Sequence, residues 1–213
     1  MDNIIVKPVR DLGFCMTNSY IVSLGGDAVL IDAPDEPERL LDLASGLKIR
    51  ALLLTHGHID HILAVNEIKK RTGCPVYISR ADSGMLKSSR DSLADYLGLP
   101  FEPVTDAAVF SDNEVIAAGE LTVRTIPSPG HTPGSACFLI GKSLFTGDTL
   151  FKGSIGRDFG WSGYYRIFDS IRSLYSLGGE YTVYPGHGEA TTLSDELRSN
   201  PFLFGLFDSG RGE

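Results

Sequence analysis

Clusters of Lys and Arg are missing from this 213-residue sequence, in which 19 basic residues are outnumbered by 27 acidic ones and the formal net charge is −8. Sequence-independent binding to nucleic-acid phosphates depends on such clusters, so we expect no nucleic-acid partner. Apolar runs of the roughly 18 residues that a membrane helix needs are also missing. The N-terminal residues MDNIIVKPVRD lack the basic and apolar segments of a signal peptide. We therefore expect a cytoplasmic protein without a membrane partner, and its oligomeric state stays open.

Cysteine is scarce as well, with three residues, Cys15, Cys74 and Cys137. No two of them have C-x-x-C spacing, and an odd number of widely separated cysteines argues against both a disulfide framework and a thiolate zinc site. Because this length fits within one hydrophobic core, we expect residues 1–213 to form a single domain.

The distribution of apolar residues predicts both strands and helices. Alternating or wholly apolar segments predict strands at Ile4–Val9, Asn18–Leu24, Ala28–Asp32, Ile49–Leu54, Pro75–Ile78, in short pieces of Val104–Ile126, and at Ala136–Ile140, Ser143–Thr146 and Tyr181–Tyr184. Helical spacing with stop signals predicts helices at Glu38–Ser45, from near Asp60, at Ala81–Leu97 with a break, at Gly163–Leu177 and at Ser194–Ser199. Strands in two groups with helices in separate blocks predict an α/β protein of two packed sheets covered by helices.

The motif T-H-G-H-I-D-H, residues 55–61, stands between a predicted buried strand and a predicted helix. Imidazole nitrogens and carboxylate oxygens are ligands of zinc and comparable divalent ions. Alternate positions in an extended loop allow His56 and His58 to face one ion, while Asp60 and His61 turn toward a second. One short loop is therefore predicted to serve two metals.

The remaining histidines and two aspartates lie in similar positions. His131 and His187 follow predicted strands in Pro/Gly-rich loops, and we interpret both as metal ligands. Asp148 comes directly after an apolar strand, where a buried carboxylate needs a cation or hydrogen-bond donors; its two oxygens can bridge two ions. Asp32, in V-L-I-D-A-P, is interpreted either as a turn aspartate or as a group that orients a ligand histidine.

The order of these motifs resembles that of the metallo-β-lactamase superfamily over nearly the whole chain. H-x-H-x-D-H, an isolated His, the G-D-T aspartate and the P-G-H-G histidine follow one another as in that family. The resemblance implies a four-layer αββα sandwich of two mixed β-sheets flanked by helices, with a dinuclear site at one edge of the sheets. It also implies ligand sets, namely His56, His58 and His131 for one metal and Asp60, His61 and His187 for the other, with Asp148 as the bridge.

Within the superfamily, F-T-G-D-T-L-F-K-G-S-I-G-R and P-G-H-G-E-A-T-T-L-S-D-E-L look most like the bacterial glyoxalase II-like hydrolases, which are relatives of hydroxyacylglutathione hydrolase. This resemblance implies a metal-dependent hydrolase whose partner is a small-molecule thioester such as S-lactoylglutathione. Two divalent ions can share a water, lower its pKa and present hydroxide to the carbonyl carbon, and Asp60 or water would carry the proton. We expect two zinc ions, with iron or manganese suited to the same ligands.

The segments with which glyoxalase II enzymes recognise glutathione differ in this sequence. Full-length glyoxalase II enzymes carry a C-terminal helical segment with basic residues, and we expect no separate domain of this kind. Where that family has G-K-F-Y, this sequence has G-R-D-F, residues 156–159, so the cation is kept and the tyrosine is replaced. Arg157 and Lys152 are interpreted either as ligands of an anionic substrate tail or as ordinary surface cations.

Other activities of the superfamily are alternatives. G-R-D-F is similar to the G-R-T-D-F of persulfide dioxygenases, which hold one non-haem iron, although P-G-H-G replaces their usual P-A-H. A lactonase or a nuclease is a further alternative. A β-lactamase is disfavoured because those enzymes commonly have Asp-Arg at positions 60–61 and Cys in place of Asp148. A binding module without turnover is disfavoured too, since a structural zinc usually leaves no open position.

Overall fold

A computed structural model describes residues 3–160 and 165–207, and its framework is formed by two six-stranded sheets. The strands of the first sheet follow one another in chain order, β1 to β6. The first three are paired antiparallel, and β3 to β6 are parallel. Their bounds are β1 Ile5–Leu12, β2 Thr17–Leu24, β3 Asp27–Ile31, β4 Lys48–Leu53, β5 Val76–Ser79 and β6 Ala108–Phe110.

The second sheet has the order β14-β13-β10-β9-β8-β7 and is also mixed, because β10 and β13 are parallel while its other pairs are antiparallel. Its strands are β7 Val115–Ala118, β8 Leu121–Pro127, β9 Ala136–Ile140, β10 Ser143–Gly147, β13 Thr182–Pro185 and β14 Thr191–Thr192. A separate two-stranded ribbon joins β11, Leu150–Phe151, to β12, Ser154–Ile155.

The described helices are short. They are α1 Pro37–Leu43, α2 Ile59–Ile62, α3 Val65–Thr72, α4 Ala94–Leu97, α5 Tyr165–Tyr175 and α6 Leu193–Ser199, with 3-10 turns at Met85–Lys87 and Pro201–Leu203. Among the described residues, none of these helices combines the length and apolarity that a membrane crossing requires.

Strand alternation places apolar side chains on both faces of the first sheet. Val29 and Ile31 of β3 join the core between the two sheets, whereas Ala28 and Leu30 pack beneath the helices on the outer face. A third core lies on the outer face of the second sheet, where Ile171 and other buried residues of α5 pack. Successive side chains of a strand point to opposite faces, so three cores separate four layers. The predicted αββα sandwich is confirmed.

Two helix predictions need correction. The helix expected from near Asp60 is divided into α2 and α3, because the Ala64 N–H donates to the Ala33 carbonyl at 2.9 Å instead of continuing the helical ladder. The helix expected at Ala81–Leu97 is mostly wrong, since only α4 and a 3-10 turn form there. Ser88 Oγ accepts from the Asp91 N–H at 3.1 Å, and such side-chain bonds compete with a helix. For the helix expected at Gly163–Leu177, residues 163–164 lie outside the described residues.

The carboxyl ends of several strands meet at one edge of the sandwich. There the Asn18 N–H at the start of β2 donates to the Gly186 carbonyl at 2.7 Å, and the Gly186 N–H donates to the Gly147 carbonyl at 2.8 Å. An isolated bridge between Thr17 and His187 accompanies them. These bonds tie the two sheets together, so loops from both sheets face one another at this edge.

Candidate metal centre

All five histidines of the sequence lie together at this edge. The ring centroids of His56 and His61 are 4.1 Å apart, those of His58 and His131 are 4.7 Å apart, and those of His61 and His187 are 5.4 Å apart. The loops after β4, β8 and β13 supply these side chains. Sequence analysis assigned all five to one site, and the structure brings them together.

Three of the histidines have their Nδ1 atom held by a neighbouring oxygen. His61 Nδ1 lies 2.8 Å from Asp32 Oδ2, and His131 Nδ1 lies 2.7 Å from the Arg157 carbonyl. His56 Nδ1 lies 3.1 Å from Thr55 Oγ1. Because these oxygens accept, each Nδ1 donates, and each Nε2 is turned toward the other ligand atoms. The three rings are thus oriented as a metal ligand requires.

His131 Nε2 lies 2.9 Å from His58 Nδ1, but the other two of these Nε2 atoms have no hydrogen-bond partner in the described part of the chain. Among the described side chains, His56 Nε2, His61 Nε2 and Asp148 Oδ1 are buried atoms without a hydrogen-bond partner. Burying an unsatisfied polar atom is costly, so such atoms call for an explanation. A cation between them would supply the missing interaction. The donor set of imidazoles and carboxylates fits a divalent metal such as zinc, iron or manganese.

The separations of the ligand atoms also fit. Asp148 Oδ2 lies 3.5 Å from His131 Nε2 and 3.4 Å from His187 Nε2, and Asp148 Oδ1 lies 3.4 Å from His61 Nε2. Asp60 Oδ2 lies 3.5 Å from His187 Nε2. Charge-assisted hydrogen bonds are shorter, about 2.7–2.9 Å. Neighbouring ligands of a tetrahedral zinc, with bonds of about 2.0–2.2 Å, lie about 3.3–3.6 Å apart.

The ligand atoms fall into three overlapping groups, each with its atoms within 4.8 Å of one another. These groups are His56 with His58 and His131, Asp60 with His61 and His187, and His56 with His61 and Asp148. The first two are the ligand sets that the sequence implied. Asp148 stands between them, since its Oδ2 faces one histidine of each set. This is the position that a bridging carboxylate would occupy.

The charges of the two sets differ. Burial lowers the pKa of His58 to about 3 and that of His56 well below its ordinary value, and the neighbouring histidines add to both shifts. Burial also acts against the charged form of His61, but Asp148, Asp32 and Asp60 outweigh it and raise the pKa of His61. The imidazoles of His56 and His58 are therefore neutral, and the carboxylates concentrate around the second set.

The Asp32 carboxylate contacts a ligand histidine, as expected of an orienting group, and does not serve a turn alone. Its Oδ1 accepts from the Thr55 N–H at 2.8 Å, while its Oδ2 faces Thr55 Oγ1 and His61 Nδ1, both at 2.8 Å. The residue holds a φ of +57°, a conformation that is uncommon outside glycine. Asp32 thus fixes His61 directly and, through the Thr55 hydroxyl, supports His56.

Glycine is required where the P-G-H-G loop meets Asp148. A Cβ at Gly186 would lie 2.3 Å from Asp148 Oδ1 and 2.7 Å from His61 Cε1. Only a residue without a side chain allows the loop to approach this closely. The glycine before His187 therefore belongs to the construction of the site.

Two residues that support the site were not predicted from the sequence. Asp82 is fully buried and contacts the loops of His56 and His131, although it lies in a segment expected to be helical. Asn18 Nδ2 donates to the Pro185 carbonyl at 3.0 Å and the Gly188 carbonyl at 2.9 Å, which fixes the loop of His187. No sequence motif marks these residues, because their contacts are distant along the chain.

A cleft of about 420 Å³ opens over the ligand atoms. Its wall is mostly apolar and includes Phe151, Ile155 and Phe159, whose ring centroid lies 5.4 Å from that of His58. Arg157 lines the cleft, and its guanidinium lies 5.9 Å from the Phe159 ring centroid. Lys152 is not among the lining residues and instead pairs with Glu189 at 2.6 Å. Of the two predicted substrate cations, the structure brings only Arg157 to the cleft.

The αββα sandwich and the His/Asp cluster at its edge together define a candidate metallohydrolase. A family model for the metallo-beta-lactamase superfamily matches residues 12–187. The chain belongs to this superfamily, as its motifs indicated.

Individual relatives and solved structures give a more specific comparison than the family model. The chain is 37% identical to the hydroxyacylglutathione hydrolase GloC of Haemophilus influenzae, over 94% of this chain and 98% of that one. BLEG-1, a B3 metallo-beta-lactamase, superposes with a TM-score of 0.88 at 31% identity, over 94% of this chain and 100% of the other. TTHA1623, crystallised in a di-iron-bound form, superposes with a TM-score of 0.83 at 38% identity, over 92% and 100%. The prediction that the chain is a hydrolase of the metallo-beta-lactamase superfamily with a candidate His/Asp metal site is confirmed.

Proposed function

We propose that this protein hydrolyses thioesters between a short acyl group and a charged thiol carrier, with S-lactoylglutathione as the representative substrate. The observation that carries this proposal is the arrangement of two ligand sets around Asp148 beneath a cleft that has an apolar wall and charged residues at its outer end. Similarity to GloC, whose name gives the same reaction, supports it.

The chain's own residues have distinct roles in this proposal. One metal would be held by His56, His58 and His131, the other by Asp60, His61 and His187, with Asp148 bridging. Bound metals would supply a hydroxide nucleophile at neutral pH and stabilise the negative charge that develops on the carbonyl oxygen. We propose zinc for both positions, and the same ligands suit iron, as in the di-iron form of TTHA1623.

Asp60 is the proposed proton carrier. Its Oδ2 lies 3.4 Å from Thr17 Oγ1 and 3.5 Å from His187 Nε2, and the residue lines the cleft. The charge of His61 lowers the pKa of Asp60 in spite of its burial. Because Asp60 lines the cleft beside the ligand atoms, its carboxylate is placed to accept a proton next to the reacting carbonyl.

The outer part of the cleft indicates the kind of carrier. Beyond Phe159 the cleft continues into a second cavity of about 680 Å³, whose lining includes Arg90, Arg157, Asp91 and Asp95. Two cations and two anions on one rim suit a carrier that has both carboxylates and an amine, as glutathione has. The apolar inner wall would receive the acyl group, so the thioester carbonyl would lie over the ligand atoms.

The test measures metal content and four reactions on the same purified protein. We expect about two metals per chain and release of thiol from S-lactoylglutathione, with loss of both after removal of metal. One iron per chain, oxygen uptake with glutathione persulfide and no thioester cleavage would overturn the proposal in favour of a persulfide dioxygenase. Hydrolysis of a simple lactone, faster than that of any thioester, would overturn it in favour of a lactonase.

A second candidate is β-lactam hydrolysis, which the match to BLEG-1 favours. The sequence argued against it, since β-lactamases commonly have Asp-Arg at positions 60–61 and Cys at the position of Asp148. A β-lactam is therefore included among the substrates, and a higher kcat/KM for it than for the thioester would reverse the order of the two candidates. The expectations of a single domain, a cytoplasmic location and a small-molecule partner without nucleic acid or membrane stay predictions.

A further inference from the structure

Asp82 is a buried carboxylate that contacts both loops of the first ligand set. Its Oδ2 accepts from the Gly57 N–H at 3.2 Å and from Thr132 Oγ1 at 2.6 Å. Its Oδ1 accepts from the Gly134 N–H at 2.7 Å. The residue is 0% exposed. A single carboxylate therefore receives three donors, one from the loop between β4 and α2 and two from the loop between β8 and β9.

These donors come from residues next to the ligands. Gly57 stands between His56 and His58 in the chain, and Thr132 directly follows His131. A displacement of the Asp82 carboxylate would therefore move the backbone that carries all three imidazoles of the first set. Other contacts also join these loops: His58 Nδ1 lies 2.9 Å from His131 Nε2, and the Ala136 N–H donates to the Thr55 carbonyl at 2.8 Å at the strand end of both loops.

Two glycines allow the segment of Asp82 to approach the loops. A Cβ at Gly57 would lie 2.5 Å from Met85 Cβ, and a Cβ at Gly134 would lie 2.6 Å from the Asp82 backbone nitrogen and 2.2 Å from Ser79 Oγ. Real Cβ atoms do not tolerate such distances. Because both loops have glycine at these positions, the segment of Asp82 comes close enough for its carboxylate to accept hydrogen bonds from them.

Keeping a carboxylate at this depth is unfavourable by itself. Burial raises the pKa of Asp82, and the hydrogen bonds from Thr132, Gly134 and Gly57 oppose this shift. An uncharged side chain would avoid the desolvation of the charge. The charged carboxylate binds these three donors more strongly than a neutral acceptor would, and this offsets part of the cost of its burial.

Asp32 makes the corresponding contacts at the second set. It holds His61 Nδ1 and the Thr55 backbone, whereas none of the hydrogen bonds of Asp82 reaches the loops that carry Asp148 or His187. The hydrogen bonds of Asp82 therefore reach the loops of the first set alone, whereas Asp32 holds His61 of the second set and, through Thr55, also supports His56 of the first.

We propose that Asp82 is a positioning residue for the metal held by His56, His58 and His131. This inference rests on the proposed metal centre, but not on the identity of the substrate. Loss of a supporting partner of a metal ligand typically weakens binding about 10–100-fold. The weakening caused by Asp82 substitution is expected at one metal only.

The test isolates each metal by removing a ligand of the other. In a His187→Ala background, which keeps the first set, Asp82→Asn should weaken zinc binding about 10–100-fold in competition with a chromophoric chelator. In a His131→Ala background, which keeps the second set, Asp82→Asn should change zinc affinity less than about threefold. Asp32→Asn serves as the comparison variant, and it should weaken zinc binding in both backgrounds, because Asp32 contacts His61 of the second set and supports His56 of the first through Thr55.

A purely structural role would produce a different result. Asp82→Asn would then lower the melting temperature and weaken the remaining zinc equally in both backgrounds, and that outcome overturns the proposal. Should the Asp82 variants fail to fold, Thr132→Val removes one of the three donors and keeps the size of the side chain. It should weaken zinc in the His187→Ala background alone, and equal affinities in the two backgrounds would likewise overturn the proposal.

Because zinc affinity is the readout, the outcome is independent of the reaction. A chain that binds zinc in the expected pattern but does not cleave thioesters would support the role of Asp82 and contradict the proposed substrate. A wild-type chain that takes up no zinc, iron or manganese would overturn both.

Discussion

Replacing Asp148 by asparagine tests the bridge between the two ligand sets. The side chain keeps its shape but loses its charge, and one of its two oxygens becomes an amide nitrogen that cannot bind a metal. Both Asp148 oxygens lie 3.4–3.5 Å from histidine nitrogens of the two sets. We therefore expect both metals to bind more weakly in this variant.

The magnitude follows from linkage between binding and stability. A ligand that binds only the native state at 100 times its Kd stabilises that state by about 2.7 kcal/mol, so two metals contribute about 5 kcal/mol. In a protein of this size, 1 kcal/mol moves the melting temperature by about 2–4 °C. Zinc should therefore raise the melting temperature of the wild type by roughly 10–20 °C.

Asp148→Asn should nearly abolish this rise. We take the affinity of each site for zinc to fall about 100-fold, the upper end for loss of a group that supports a metal ligand. The same zinc concentration then equals the new Kd, and each site contributes about 0.4 kcal/mol. The expected rise is then at most about 3 °C. Because each variant is compared with and without zinc, any effect of the substitution on the metal-free chain cancels.

The assay is thermal unfolding by circular dichroism, with zinc content measured on the same samples. Asp42→Asn is the matched control, since Asp42 is exposed on α1 and should leave the zinc-dependent rise unchanged. A wild-type rise that persists in Asp148→Asn would refute the bridging role. Absence of any rise in the wild type would refute the metal centre.

Three further outcomes are expected. Arg157→Ala should raise KM for S-lactoylglutathione about tenfold with little change in kcat, because Arg157 lines the cleft. Lys152→Ala should leave both constants near wild type, because Lys152 pairs with Glu189 outside the cleft. Equal effects of the two substitutions would contradict the assignment of Arg157 alone to the substrate. Gly134→Ala should destabilise the protein by about 1–3 kcal/mol in urea unfolding, because its Cβ would meet a backbone nitrogen at 2.6 Å, while Gly84→Ala has open space and should be neutral. Ile171→Ala, in the fully buried face of α5, should cost about 2–5 kcal/mol, and a loss below 1 kcal/mol would contradict the packing of that helix on the second sheet.

The parts of the fold that depend on local pattern were predictable. Strands such as β3 and β4 are short apolar runs bounded by turns, and their positions follow from the sequence alone. The metal-ligand candidates were recognisable too, because histidines and aspartates that follow strands converge when parallel strands share an edge. The residues 55–61 carry enough of this pattern to indicate two metals from one loop.

What the sequence could not predict depends on contacts between distant segments. The segment at Ala81–Leu97 has helical composition, but the Ile59 N–H donates to the Ser92 carbonyl at 2.8 Å, and Leu93 adopts a φ of +65°. Tertiary bonds therefore override the local preference. The same segment contains Asp82, whose three donors lie 25 to 52 residues away along the chain. No spacing within the sequence indicates such a partner.

The division of residues 55–61 between two ligand sets has a physical cause that the extended-loop hypothesis did not contain. His58 has extended backbone angles, φ −71° and ψ 147°, and the helix α2 begins at the next residue. Ile59 and Ile62, three positions apart on that helix, are both buried in the core beneath the first sheet. Their burial fixes the rotation of α2 about its axis. Asp60 and His61 must then point away from that core toward the second ligand set, because side chains of adjacent helical residues lie about 100° apart. The change from extended to helical backbone, rather than alternation within a loop, is what separates the two sets.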